Sequence, residues 1–117
     1  MSRIERVNQQ VKREIGRIIQ LELSDPRLEF VSITSVEVSK DLRNARVYFS
    51  VIGDESRKEG AAKGLNGAGG TIRGILARKL NMRCTPELRF HYDKSIEYSS
   101  VVEETLKEIN NEYKSDQ

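Results

Sequence analysis

The chain has 117 residues, of which 37% are hydrophobic and 32% charged, with a formal net charge of +2; that length supports one core and not two. Its one cysteine, Cys84, excludes an internal disulfide and a multi-cysteine zinc site, and suits a reducing cytoplasm. No apolar run approaches the ~20 residues of a membrane span, and Arg3, Glu5, Arg6, Lys12 and Arg13 break up the N-terminal stretch, so neither a spanning helix nor a secretory signal is expected.

Ser2-Arg3-Ile4-Glu5 has the form of a capping box, in which a serine hydroxyl and a glutamate carboxylate satisfy the first free N–H groups of a helix. Behind it Ile4, Val7, Val11, Ile15, Ile18 and Ile19 follow helical spacing, predicting a helix to about Leu23. It should stop before Ser24-Asp25-Pro26, because the proline disfavours helical geometry at Asp25. Arg3, Arg6, Arg13 and Arg17 decorate its polar side and read most simply as a solvated face, with a share in RNA contact as the alternative.

Phe30 to Ser39 is rich in β-branched residues. Val31 and Ile33 share one parity and Val36 and Val38 the other, so a bulge near Thr34-Ser35 is needed to turn both pairs inward. After a turn over Lys40 to Arg43, Ala45, Val47, Phe49 and Val51 alternate with Arg46, Tyr48, Ser50 and Ile52, a second strand with one apolar face. So short a connection requires an antiparallel hairpin.

Six of the eight glycines lie between Gly60 and Gly74, yet Ala61, Ala62, Leu65 and Ala68 keep a helical rhythm. Each interior glycine costs about 0.5–1 kcal/mol against alanine, so this is a weak helix, and alanine at Gly64 should strengthen it. Ala68-Gly69-Gly70 is the expected break, with Gly69 or Gly70 in a backbone angle closed to other residues. A second helix, Thr71 to Leu80, then follows, with Ile72, Ile75, Leu76 and Leu80 on one side and Arg73, Arg78 and Lys79 elsewhere. The start of that second helix would offer free N–H groups and a positive dipole end to a phosphate. The plainer alternative is an interhelical turn, or close helix packing, with no ligand; no Gly-Lys-Ser/Thr follows, so this is not a nucleotide P-loop.

Thr85-Pro86 precedes a third strand in which Leu88, Phe90 and Tyr92 face one way and Arg89 and His91 the other. From about Ser95, Val102, Leu106, Ile109 and Tyr113 have helical spacing, and the chain should fray after about Lys114. The order α-β-β-α-kink-α-β-α predicts an α+β two-layer sandwich, a three-stranded sheet with helices on one face.

Charge is unevenly spread. Residues 68–92 carry five Lys/Arg against one acid, whereas residues 93–117 carry three Lys against seven acids. Such sorting suits one face meeting a polyanion and another kept off it, although two ordinary solvated helices would look the same. The convergent groups of an enzyme are missing: His91 is the only histidine and has no cysteine or histidine partner in the pattern, and Asp41 and Asp93 stand where turn formers are expected. A binding module is favoured over an enzyme, with no metal, cofactor or small-molecule substrate expected.

Asp25-Pro26-Arg27-Leu28, Val36-Glu37-Val38-Ser39 with Asp41-Leu42, Ala45-Arg46-Val47-Tyr48, Ala68-Gly69-Gly70, Ile72-Arg73 and Pro86-Glu87-Leu88-Arg89-Phe90 occur in an order and spacing that cover nearly the whole chain. In this the sequence resembles the ribosome-binding factor A family. The resemblance implies one type II KH-like domain over residues 1–117, with the usual Gly-x-x-Gly loop replaced by an Ala-x-Gly kink at Ala68-Gly69-Gly70. It also implies a cytoplasmic, non-catalytic factor, monomeric when free, that binds the small (30S) ribosomal subunit. There it would assist late maturation and processing of 16S ribosomal RNA, with a role in cold adaptation; a KH-like adaptor acting on other RNA is the alternative. The extra glycines Gly60, Gly64 and Gly67 depart from the family pattern. KH-type modules clamp an RNA backbone at a glycine turn, and with few aromatics and no tryptophan this chain has little stacking capacity. Arg73, Arg78, Lys79 and Arg83 are accordingly the main candidates for phosphate contact around Ala68, Gly69 and Gly70, with Arg43, Arg46 and Lys63 secondary.

Overall fold

The computed structural model describes residues 2–82 and 84–95. Helix α1 (Arg3–Arg17) opens on the expected capping box: Glu5 N donates to Ser2 Oγ at 3.2 Å, and Ser2 N donates to Glu5 Oε2 at 3.3 Å. The helix widens into a π turn over Ile18–Glu22, which brings both Ile18 and Ile19 into the core beside Val11 and Ile15. Asp25 then accepts from Arg27 N at 2.9 Å and caps a short 3-10 turn, Pro26–Leu28, that buries Leu28.

Strands β1 (Val31–Val38) and β2 (Asn44–Val51) form the antiparallel hairpin, with the register shift between Ile33 and Ser35 where parity requires it. The bulge lets Val31, Val36 and Val38 all reach the core, opposite Ala45, Val47 and Phe49 of β2. Strand β3 (Glu87–Tyr92) runs parallel to β2, Asn44 beside Glu87 through Phe49 beside Tyr92. The sheet order is therefore β1-β2-β3, and a parallel neighbour needs a long crossover.

That crossover is one helix, α2 (Glu55–Leu80), and here the sequence expectation is corrected. No break occurs at Ala68-Gly69-Gly70: the helix is continuous for 26 residues, and neither Gly69 nor Gly70 has a positive φ. The physical reason is burial. Ala61, Leu65, Ile72 and Leu76 are fully buried, and half-buried Ala68 keeps the same stripe in phase across the glycines. Six interior glycines cost about 3–6 kcal/mol together, while burying Leu65, Ile72 and Leu76 returns about 1.5–3 kcal/mol each. Tertiary packing thus decides the conformation over propensity. The helix ends at Asn81, which takes the left-handed conformation (φ 48°).

Helix α1 packs on β1 and α2 on β3 and β2, giving one layer of helices on one face of a three-stranded sheet. Two side-chain bonds fasten the layers and edges. Val38 N donates to Asn8 Oδ1 of α1 at 2.8 Å, and Thr34 Oγ1 at the bulge donates to Asp93 Oδ2 beyond β3 at 2.6 Å. The expected C-terminal helix and the fraying after Lys114 lie outside the described residues.

Candidate nucleic-acid interface

With Ala61, Leu65, Ile72 and Leu76 turned inward, the helical period turns Lys63, Gly67, Gly70, Gly74 and Arg78 outward, and all five are exposed. A β-carbon added at Gly67, Gly70 or Gly74 would meet nothing within 4 Å. From Gly67 to Gly74, between Lys63 and Arg78, the helix therefore shows bare backbone over about 10 Å, at 1.5 Å per residue. Neither cation has an acidic partner among the described residues. A polyanion can approach this face to the depth of the main chain.

The helix start expected to seat a phosphate does not form. Inside a continuous helix the N–H groups of Ala68, Gly69 and Gly70 are committed to carbonyls one turn back, so no free helix start exists there. Half-buried Gly69 faces Phe90 of β3, where an added β-carbon would stand 3.9 Å from the ring. Ala68 is half-buried too, and Gly70 alone of the three is outward and open.

The cations divide by what they touch. Arg73 donates from Nη2 to the Thr85 carbonyl at 2.9 Å and from Nε at 3.3 Å, which holds the approach to β3 against α2. Lys79 pairs with Glu22 Oε1 at 3.2 Å and joins the end of α2 to the π turn after α1. Both were expected chiefly to meet phosphate, and both carry intramolecular bonds as well. Arg83 lies outside the described residues. Arg43 is exposed in the hairpin turn; its carbonyl accepts from Glu87 N at 2.8 Å and starts the β2–β3 ladder. In the same turn Asp41 accepts from Ser39 Oγ at 2.6 Å and from Arg43 N at 3.1 Å, and these bonds hold its carboxyl below the usual carboxylate range. Through Thr85 and Glu87 the structure brings Arg43 and Arg73 to the end of the molecule where α2 finishes.

Arg46 is elsewhere. It sits on the sheet face that α1 and α2 leave open, 4.0 Å from Glu37 across the hairpin and beside Arg89 in the β2–β3 register. Next along that face the rings of Tyr48 and His91 stand 5.7 Å apart. The sequence separates these residues and the register unites them; the alternation of β2 and β3 was the available signal. Among the described residues no group of three or more His, Cys, Asp or Glu could hold a metal ion, and no helix is long and apolar enough to cross a membrane.

A family model described as ribosome-binding factor A matches residues 3–106. The chain belongs to the ribosome-binding factor A family. Its fold is similar to the crystal structure of ribosome-binding factor A from Thermus thermophilus, with 33% identity and a TM-score of 0.70, over 78% of this chain and 97% of that one. It is also similar to a homology model of the Thermus thermophilus factor fitted into the cryo-EM map of its complex with the 30S subunit, with 34% identity and a TM-score of 0.63, over 74% and 91% of the two chains. Family membership gives the open track on α2 a context: the outward glycines and the two unpaired cations belong to a ribosome-binding factor A scaffold.

Proposed function

We propose that the protein is a non-catalytic assembly factor that binds the small ribosomal subunit and assists late maturation and processing of its 16S ribosomal RNA, working as a monomer in the cytoplasm. The observation that carries this reading is the outward face of α2, bare at Gly67, Gly70 and Gly74 and bounded by Lys63 and Arg78, in a chain whose relative is fitted into a 30S complex. The face fits the groove of an RNA helix or a folded RNA backbone better than splayed bases, because it presents main chain and charge and no aromatic ring. On this reading residues 1–117 are one KH-like domain in which the glycine face of an unbroken helix takes the place of the kinked loop. Arg43, at the end of the molecule where α2 finishes, extends the contact.

A factor without a reaction of its own changes RNA maturation only by binding one state more tightly than another. Demand for it should be greatest in the cold, where misfolded RNA helices escape slowly. The test is a strain lacking the protein, grown warm and cold, with its ribosomal subunits and 16S ends analysed. Accumulated small subunits with unprocessed 16S RNA, worst in the cold and not rescued by a folded Lys63→Gln/Arg78→Gln variant, are expected. Normal subunit profiles and normal 16S ends would remove this function and favour an adaptor acting on other RNA.

A further inference from the structure

At the opposite edge of the sheet from α2 and β3, a groove runs between α1 and β1, lined by Gln9, Lys12, Arg13, Gly16, Arg17 and Ser32 among others. It contains three cations and no acid. Among the described residues Lys12, Arg13 and Arg17 have no acidic partner. A β-carbon at Gly16 would meet nothing within 4 Å, so the helix side of the groove is open to the backbone. On the other side lies the free edge of β1. The Phe30 carbonyl accepts from Ile52 N and so faces β2; by the alternation of a strand, the main-chain groups of Val31 and Ile33 face outward into the groove. The next stretch of edge is closed. The bulge interrupts it between Ile33 and Ser35, and Asn8 takes the outward N–H of Val38. Glu5, beyond the groove on α1, accepts from Ser2 N in the capping box, and Glu14, between Arg13 and Arg17 in the helix, does not line the groove.

We infer that this groove is a second RNA-binding surface, which takes a phosphodiester strand and so lets one molecule bridge two segments of ribosomal RNA. The inference extends the function proposed above and rests on its choice of RNA as partner. An extended peptide is the competing occupant, since free strand edges accept added strands. Here the open edge is only Val31 to Ile33, too short for a strand ladder and terminated by a bulge and an asparagine, the devices that block such pairing. Three unpaired cations beside outward N–H groups suit phosphate oxygens instead.

The test compares the full chain with a groove variant, Lys12→Gln/Arg13→Gln/Arg17→Gln, and a track variant, Lys63→Gln/Arg78→Gln, each checked for fold by circular dichroism. The probes are a protein-free 16S RNA transcript and purified small subunits. Releasing roughly 0.7–0.9 counterion per phosphate, the groove variant should lower the salt-dependence slope by about two units on both probes. Its affinity should then fall about a hundredfold at 0.1 M salt. In the unaltered protein the amide resonances of Val31 and Ile33 should shift on adding the transcript, and in the groove variant they should not. An unchanged slope with unmoved amides would overturn the inference. Loss on subunits but not on the naked transcript would also overturn it, because the occupant would then be a ribosomal protein. If the track variant binds normally while the groove variant does not, the α2 site fails and the groove stands.

Discussion

Gly64 of α2 lies so close beneath Leu28 that a β-carbon on it would stand 3.0 Å from Leu28 Cδ2, and 3.2 Å from the Asp25 carboxylate. Leu28 is buried, and a close-packed interior leaves its methyl group little room to move aside. The glycine is therefore a packing residue, contrary to the sequence expectation that alanine there would strengthen a weak helix. Gly64→Ala should destabilise by about 1–3 kcal/mol, the usual range for an overpacked core. Gly70→Ala meets open space and should stabilise by about 0.4–1 kcal/mol. Denaturant midpoints of the two variants check the contrast, and a gain at both positions would count against the close approach.

What was legible in the sequence was local. The capping box at Ser2 and Glu5 needs only four residues, and the bulge at Thr34 follows from the parity of four side chains within one strand. The break expected at Ala68-Gly69-Gly70 fails because propensity weighs neighbours along the chain, while the stripe that holds the helix is valued only against the sheet. The touch of Gly64 on Leu28 and the fork of Arg73 on Thr85 were invisible for a related reason. Any backbone carbonyl can receive an arginine, and nothing in the sequence says which one comes within reach. Of the candidate site residues, Arg78 and Lys63 stand outward on α2, beside bare helix backbone and not at the helix start that the sequence suggested.

If the track on α2 works by close approach, bulk placed on it should act without charge. Gly70→Leu adds a side chain where nothing lies within 4 Å, so the fold should tolerate it. Binding to small-subunit RNA should nevertheless weaken at every salt concentration by roughly tenfold, about 1.4 kcal/mol, with the salt slope unchanged because no phosphate contact by a cation is removed. Filter binding at several salt concentrations reads both quantities. Unaltered affinity would take Gly70 off the interface.

Asp25 and Arg27 form a compact pair after α1, with Arg27 Nη2 2.7 Å from Asp25 Oδ2. The guanidinium bonds, with the Arg27 N–H, hold the Asp25 carboxyl below its ordinary value. A carboxyl whose pKa is lower folded than unfolded stabilises the fold fully above its unfolded value, about 4, and loses that contribution as pH falls through the folded value. Stability should therefore drop below about pH 4, and Asp25→Asn should make that acid limb shallower while lowering stability at neutral pH. Urea midpoints between about pH 2.5 and pH 7 measure it; identical limbs in the two proteins would count against the pair.

Arg73 and Arg78 stand five residues apart on one helix and should fail differently. Arg73 spends its Nε and Nη2 donors on the Thr85 carbonyl, so Arg73→Ala should leave that acceptor without its charged donor. The cost should be about 1–2 kcal/mol, near that of a hydrogen bond to a charged group and reduced by exposure. Arg78 is exposed at the end of the open track and has no partner among the described residues; Arg78→Ala should stay within about 0.5 kcal/mol of the parent in stability. On ribosomal RNA the order reverses. Arg78→Ala should reduce the salt slope by roughly 0.7–0.9 units, one phosphate contact. Arg73→Ala should change the slope less than Arg78→Ala does, since its fork already has an acceptor. Paired urea melts and salt titrations on the two variants separate fold from contact. A slope that falls with Arg73 and not with Arg78 would move the RNA from the face of α2 to the loop before β3.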